Sequence, residues 1–242
     1  MSVPPAALGA LAPRPRPPGT LAAALLVARK DLAIEFRTRT AFLSALVFAV
    51  LALCIFHFAW DESVVSPEMR APGVLWVVLV FSALLGLQRS FGVEEHERGI
   101  DALLVSPISR EAVYAGKALG NLVFLGTIQV ITIPALAIFY NLPLAWPLVI
   151  VAAIVFLAMV GIVAVGTLFS AMAVNTRLAE LLLPMLSLPF FVPVIMSAAQ
   201  ASTRILAGRP VVEVWPLLKL VVAYDLVFVV ACTLAFPFTL EE

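Results

Sequence analysis

Long stretches without charged side chains alternate with short charged segments along the chain. Residues 41–60 and 71–88 contain no Asp, Glu, Lys or Arg, and residues 118–176 form a run of 59 residues without one. A helix crosses the hydrocarbon of a bilayer with about 20 apolar residues at about 1.5 Å each. The longest run must therefore turn back on itself, and the turn-forming residues 140–143 (Tyr-Asn-Leu-Pro) are the expected point of reversal.

Six membrane-spanning helices follow from this pattern, so the predicted fold class is an all-α polytopic membrane protein. The fifth span contains Pro184, Pro189 and Pro193, and a kinked or broken helix is expected there. Ser202 falls just beyond that span, in a predicted connecting segment. The predicted spans are residues 41–60, 71–88, 118–139, 147–173, 181–200 and 217–240.

The first 40 residues divide into two parts. Residues 1–19 contain six prolines with arginines between them, a composition that predicts a disordered tail, and residues 20–242 are then one domain. Residues 21–28 are apolar like the core of a signal peptide, but Arg29 and Lys30 follow at once, which argues against cleavage. The second part has apolar side chains at helical spacing, which favours an interfacial amphipathic helix over a plain extension of the first span. These side chains are Leu21, Leu25, Leu32 and Phe36.

Composition and charge agree with a membrane location. Hydrophobic residues make up 63% of the chain and charged residues 12%, about half the charged share of a soluble domain. The formal net charge is zero, so the chain lacks the overall excess of basic residues that would indicate nucleic-acid binding. Eleven of the 15 Lys and Arg residues fall on one side of the predicted spans. The positive-inside rule places that side, with both termini, in the cytoplasm.

No catalytic signature is found in the sequence. The phosphate-binding pattern GxxxxGK[ST] is missing, and so are HExxH and GxSxG. Two isolated histidines, and two cysteines (Cys54 and Cys232) that both lie in apolar runs, do not form a metal-ligand pattern. We therefore expect no catalytic residue, no metal site and no enzymatic activity in this chain.

The charged segment 89–117 is the most informative connection. It contains an acidic group around His96, then an amphipathic stretch, then a break at Ser106 and Pro107. Ser109 can cap a new helix whose first turn includes Glu111. This pattern predicts a helix–break–helix element that projects from the membrane and docks on a partner; a solvated connector is the alternative.

Part of this segment resembles the loop after the second span of ABC-2-type permeases. The shared pattern is E-x-G-x-[DE]-x-L-L-x-[ST]-P, followed by Gly116 and Lys117. In that family the loop forms a coupling helix that sits in a cleft of the ATPase. The resemblance implies an ATPase-coupling loop formed by Glu94, Glu95, Glu97, Arg98, Gly99, Asp101, Leu103, Leu104, Ser106 and Pro107.

Over residues 20–242 the chain is similar, more narrowly, to the CcmB family, the haem exporter proteins B of bacterial cytochrome c maturation. The similarity rests on five short stretches in the same order, namely residues 71–76 (APGVLW), 141–143 (NLP), 175–177 (NTR), 223–228 (AYDLVF) and 240–242 (LEE). It implies a permease domain at residues 20–242 in the bacterial inner membrane. The proline-rich tail at residues 1–19 departs from the family pattern.

The CcmB resemblance also implies partners and a mechanism. Two copies of the chain would pair with two CcmA-like ATPases, beside CcmC-like and CcmD-like membrane proteins. ATP bound on the partner would drive release of a haem-loaded CcmE chaperone, and haem would be handled or transported without being held firmly by this chain. An ABC-2-type permease that exports a drug, polysaccharide or lipid is the main alternative. A self-sufficient secondary transporter and a passive structural subunit are the others.

Two polar residues of the predicted spans are further candidates. Asp225 is the one carboxylate well inside a span, about 12 Å from the outer boundary when counted from Leu217. Either it bonds to a serine or threonine of a neighbouring helix, or it serves gating or partner contact. His57 lies near the outer end of the first span as an interfacial residue or, alternatively, a haem ligand. An aromatic belt at the outer ends is predicted from Trp60, Trp76, Trp146 and Trp215.

Overall fold

The computed structural model describes residues 19–60, 66–90, 108–174, 176 and 178–239, and the regular elements in these ranges are all α-helices. Six of the seven are long and apolar enough to cross a membrane. The six predicted spans are therefore confirmed. In chain order the helices are α1 (Thr20–Thr38), α2 (Thr40–Ala59), α3 (Pro67–Arg89), α4 (Arg110–Phe139), α5 (Trp146–Val174), α6 (Ala179–Leu206) and α7 (Val211–Thr239).

A sharp turn at Arg39 separates α1 from the first span. Arg39 has a left-handed backbone conformation (φ 56°), and its amide donates to the Glu35 carbonyl at 2.7 Å. The Glu35 carboxylate accepts a hydrogen bond from the amide of Phe42 at 2.9 Å, which satisfies one of the free N–H groups at the start of α2. The first helix is thus a separate element, as the sequence predicts, and not an extension of α2.

Small residues let the helices approach closely. Alanines recur every three or four residues along the buried face of α2, which packs on α3. Small side chains allow the backbones of two helices to come close together. Close packing matters in a membrane because the hydrophobic effect does not drive helices to associate there. Helices α3 and α5 are the most buried of the spans, whereas only 17% of the most apolar 18-residue stretch of α7 is buried. Most of the surface of α7 therefore faces lipid or another subunit. The alanines are Ala41, Ala45, Ala49 and Ala52.

Three helices differ from their predicted bounds. Helix α4 begins at Arg110 and runs through to Phe139, so the helix expected after Ser109 is the first part of this span rather than a projecting piece. Helix α6 is continuous through its three prolines and is not broken, and it extends to Leu206, so the predicted connecting position of Ser202 is wrong: this residue lies buried within the helix. Helix α7 begins at Val211 and not at the predicted Leu217, which makes Asp225 the middle residue of a 29-residue helix.

The bundle has two ends, defined here by the residues at each. The loop side carries Ser90 and Ser109, and the distal side carries Ser66, Tyr140 and Ala207. The reversal predicted at residues 140–143 is found on the distal side, where Asn141 adopts a left-handed conformation (φ 50°). Trp60, Trp146 and Trp215 are exposed, in agreement with an aromatic belt. Trp76 is not, because its indole is buried and donates to Ser202 Oγ at 3.3 Å.

Cysteine labelling tests the predicted orientation of these two ends. In a variant without Cys54 and Cys232, Ala207→Cys should react with an impermeant reagent from outside the cell. Ser109→Cys should react only after permeabilisation, because the loop side carries the excess of Lys and Arg. Ser202→Cys is the matched control: it lies on the distal side but is buried, so it should stay unlabelled. Labelling of position 109 in intact cells would reverse the topology.

Candidate functional site

The acidic and apolar residues of the expected coupling loop lie outside the described residues, from Glu94 to Pro107. Both ends of that loop are described, however. They are held by polar contacts that connect five helices. We call this set of contacts the loop anchor: Asp31, Ser90, Ser109, Arg110, Lys117, Asn121, Thr167 and Ser170.

Lys117 is the centre of the loop anchor. It lies two turns into α4, is only 1% exposed, and its ammonium group forms an ion pair with Asp31 of α1 at 3.2 Å. The same group donates a hydrogen bond to the backbone carbonyl of Ser90, directly after α3. Withdrawing an ammonium group from water costs several kcal/mol, and these two acceptors offset much of that cost. One buried cation thus joins α1, α4 and the start of the loop.

Neutral hydrogen bonds hold the same end of the loop against α5. The Asn121 side-chain amide donates to Ser90 Oγ and to Thr167 Oγ1, each at 3.0 Å. The Ser170 hydroxyl donates to the Leu87 carbonyl at 2.6 Å, which adds a second hydrogen bond to a carbonyl that already accepts from the Ser90 amide at the end of α3. A displacement of Ser90 must therefore act on α4 and α5 together.

The other end of the loop is attached to a different helix. Ser109 caps α4, because its side chain accepts a hydrogen bond from the amide of Ala112 at 3.3 Å, as the sequence predicts. The neighbouring Arg110 guanidinium donates to the Pro237 carbonyl near the end of α7 at 2.8 Å. The two ends of the loop are thus linked to α1 and α5 on one side and to α7 on the other.

Gly116 explains how α1 comes close enough for the ion pair. A Cβ atom at this position would lie 2.6 Å from the Ala24 carbonyl oxygen and 2.6 Å from Val27 Cβ. Only glycine allows this approach without a shift of α1. Four residues later, a Cβ at Gly120 would meet nothing closer than Asp31 Cβ at 3.7 Å, which is ordinary contact. The Gly-Lys pair singled out in the sequence therefore has one packing role and one electrostatic role.

Asp225 lies in the middle of α7, buried against α5. Its carboxylate contacts the backbone at Gly161, where a Cβ atom would collide with it and with the ring of Tyr224. The Tyr224 hydroxyl donates to the Phe190 carbonyl of α6 at 2.8 Å, so this point joins α5, α6 and α7. Neither carboxylate oxygen has a hydrogen-bond partner in the described chain. The serine or threonine partner considered from the sequence is not found there.

His57 lies on the distal side, far from the loop anchor along the helices. Its ring contacts Phe58, Phe139 and Tyr140 at centroid distances of 5.1 to 5.9 Å. The described residues contain no group of three His, Cys, Asp or Glu side chains arranged to hold a metal ion.

Sequence analysis missed most of the loop anchor. Asp31, Ser90, Asn121 and Thr167 are single polar residues in separate segments, and their proximity is a property of the packing. One signal was available: Lys117 is the last charged residue before the long uncharged run, where an unpaired lysine would be costly.

Comparisons with known proteins agree with the resemblance noted in the sequence. The family model described as "CcmB protein" matches residues 22–242. "Heme exporter protein B" of Paracoccus denitrificans is 30% identical over 186 residues, covering 76% of this chain and 84% of that protein. The proteins of the same name from Rhodobacter capsulatus (28%, 72% and 80%) and Pseudomonas aeruginosa (25%, 77% and 82%) are also similar. With nearly the whole described bundle inside the matched range, the chain belongs to the CcmB family.

Proposed function

We propose that this chain is the permease subunit of an ATP-driven complex for haem export and cytochrome c maturation, in the bacterial inner membrane with both termini in the cytoplasm. Its role is mechanical: it carries motion from a separate CcmA-like ATPase across the bilayer. The names of the similar proteins support the haem connection. The observation that carries the mechanical role is the buried Lys117–Asp31 pair at the base of the loop.

In this mechanism the ATPase pushes or pulls on residues 91–107. The loop anchor converts that movement into movement of whole helices. Ser90 is bonded to Lys117 and Asn121 of α4, Asn121 is bonded in turn to Thr167 of α5, and Arg110 is bonded to α7. Rigid helices with few discrete packing arrangements are suitable elements for carrying such coupling. ATP is bound and hydrolysed on the partner, and this chain contributes no catalytic group.

The remaining subunits follow from family membership and form part of the same proposal. Two copies of this chain pair in the complex, beside CcmC-like and CcmD-like membrane proteins. The cycle ends with release of a haem-loaded CcmE chaperone on the outer side. The extensive exposed surface of α7, apolar at positions such as Leu226 and Leu234, offers area for these contacts within the membrane.

Charge reversal in the loop tests the docking step. Glu94→Lys together with Glu97→Lys should weaken binding of the ATPase at least about tenfold, because like charges meet across the interface at a cost of several kcal/mol. The permease should still insert, since both positions lie outside the spans. The measurement is the amount of ATPase co-purified per permease in mild detergent, beside cytochrome c yield in cells.

The matched control is Glu68→Lys with Glu213→Lys, which reverses two charges on the distal side. It should leave ATPase binding unchanged. Equal ATPase recovery from both double variants would mean that the loop is a solvated connector, and the proposed coupling role would fail.

A further inference from the structure

A buried arginine with unused donors lies on the distal side, away from the loop anchor. Arg70, in the first turn of α3, is 5% exposed, and its Nε and Nη1 atoms have no hydrogen-bond partner among the described residues. Arginine keeps its charge in proteins, so it cannot escape this situation by losing a proton. A buried ion of this kind is costly unless something offsets its charge.

Two further polar groups beside Arg70 are also unsatisfied. The Arg70 guanidinium carbon lies 6.0 Å from the centre of the Tyr140 ring, and Tyr140 is 2% exposed with an unbonded hydroxyl. The centre of the His57 ring lies 5.6 Å from that of Tyr140, and its Nδ1 atom has no hydrogen-bond partner among the described residues. The cation–π contact stabilises the charge but uses none of the N–H donors. Three helices thus bring unused polar groups to one aromatic-lined place.

The described residues offer no internal anion for this cation. None of their carboxylates forms an ion pair with Arg70. Glu68 lies two positions away on the same helix, and residues at that spacing do not face each other. A guanidinium offers paired N–H donors that match the two oxygens of a carboxylate, and a phenol hydroxyl can add a third donor.

We propose that Arg70 and the Tyr140 hydroxyl bind the carboxylate of a small amphiphilic ligand at the distal side of the bundle. The half-buried rings of His57 and Phe139, which pack edge to face beside Tyr140, offer apolar surface for its flat body. The choice of ligand class rests on the proposed function in haem export. Haem is a porphyrin, and a porphyrin carries carboxylates on a flat apolar ring. Recognition in this site is by the carboxylate and does not need the iron.

The test uses the purified chain in detergent and three probes. These are haem, protoporphyrin IX without iron, and the dimethyl ester of protoporphyrin IX. Haem and the iron-free acid should bind with similar affinity, and the ester should bind about 10- to 100-fold more weakly because charged hydrogen bonds are lost. Arg70→Gln should weaken binding of both acids by the same factor and leave the ester unchanged. Arg209→Gln, an exposed distal arginine paired with Glu213, is the matched control and should change nothing.

Stability supplies the second readout. Because Arg70 forms no ion pair with any described carboxylate, Arg70→Met should keep or raise the unfolding temperature in detergent. If Arg70→Met lowers the unfolding temperature, and the double variant Asp61→Asn with Glu62→Gln lowers it equally, Arg70 has an internal ion pair. That result would overturn the proposal. The proposal would also be overturned if the porphyrin acid and its ester bind with equal affinity. Equal affinity of Arg70→Gln and the unchanged chain for the porphyrin acids would overturn it too. Binding of oleate as tight as that of the porphyrin acids would assign the site to a lipid carboxylate and reject the porphyrin.

Failure here is distinguishable from failure of the proposed function. The proposed function is tested by whether the chain restores cytochrome c production in a strain that lacks its own permease. A chain that restores production but binds no porphyrin acid loses only the carboxylate site.

Discussion

Lys117→Met should abolish most cytochrome c production while the chain still inserts in the membrane. Removing the charge makes the span more apolar, so insertion is not impaired. Inside the bundle, the change leaves Asp31 and the Ser90 carbonyl without their shared donor. Breaking a buried pair by removing one partner costs about 3 kcal/mol, near the low end of the usual range because the Asp31 side chain is 22% exposed. We expect at least about a tenfold loss of cytochrome c yield, with ATPase recovery unchanged.

Lys30→Met is the matched control for this prediction. Lys30 also contacts Asp31, at 3.1 Å, but its side chain is 45% exposed, and such surface pairs are worth about 0–1 kcal/mol. Its cytochrome c yield should remain near that of the unchanged chain. Lys117→Arg, which keeps a cation at the site, should retain part of the yield. If Lys117→Met and Lys30→Met have equal effects, the buried pair does not carry the coupling.

The second large effect is expected from adding a single methyl group at Gly116. Gly116→Ala places a Cβ 2.6 Å from a backbone oxygen of α1, and backbone cannot move aside as a flexible side chain can. The first helix must therefore shift, which costs about 1–3 kcal/mol of packing and also stretches the Lys117–Asp31 pair. The unfolding temperature in detergent should fall by several degrees, and cytochrome c yield should fall with it.

Gly120→Ala controls for the chemistry of the substitution. It lies on the same helix against the same partner, but its Cβ would be 3.7 Å from the nearest atom of α1, which is Asp31 Cβ. Alanine is favoured over glycine in a helix by about 1 kcal/mol, so this variant should be as stable as the unchanged chain or more so. Equal destabilisation by both variants would show that α1 does not pack on α4 as described.

The fold was largely predictable from the sequence because bilayer thickness imposes a length on every span. Uncharged runs located five of the six spanning helices, a long apolar segment that includes Lys219 and Asp225 located the sixth, and the turn at Asn141 followed from local residue preferences. Helix ends were harder. Ser109 was recognised as a cap, yet nothing local says that the helix it starts continues through Lys117 into the membrane for 30 residues. The prolines of α6 do not break the helix, since α-helices in membranes tolerate proline where neighbouring groups satisfy the freed carbonyls.

The candidate site was only partly predictable. Gly116 and Lys117 were noted as part of a pattern, but their partners Ala24, Val27 and Asp31 lie some 90 residues away in the sequence. Trp76 is a second residue whose contacts could not be predicted from its position in the sequence. It satisfies the rule for a belt residue by its position, yet packing turns its indole inward to Ser202. Sequence periodicity fixes which face of a helix is apolar, not which neighbour occupies that face.

The continuity of α4 has a mechanical consequence. Its 30 residues form a rod about 45 Å long, which starts at the loop and ends beside Tyr140 on the opposite side. A tilt of about 5° around its inner end would displace its outer end by about 4 Å. Pro134 lacks an amide hydrogen, so the backbone hydrogen-bond ladder is interrupted in the last two turns before Tyr140. A tilt that starts at the loop would therefore displace most the end of the helix that lies next to Arg70.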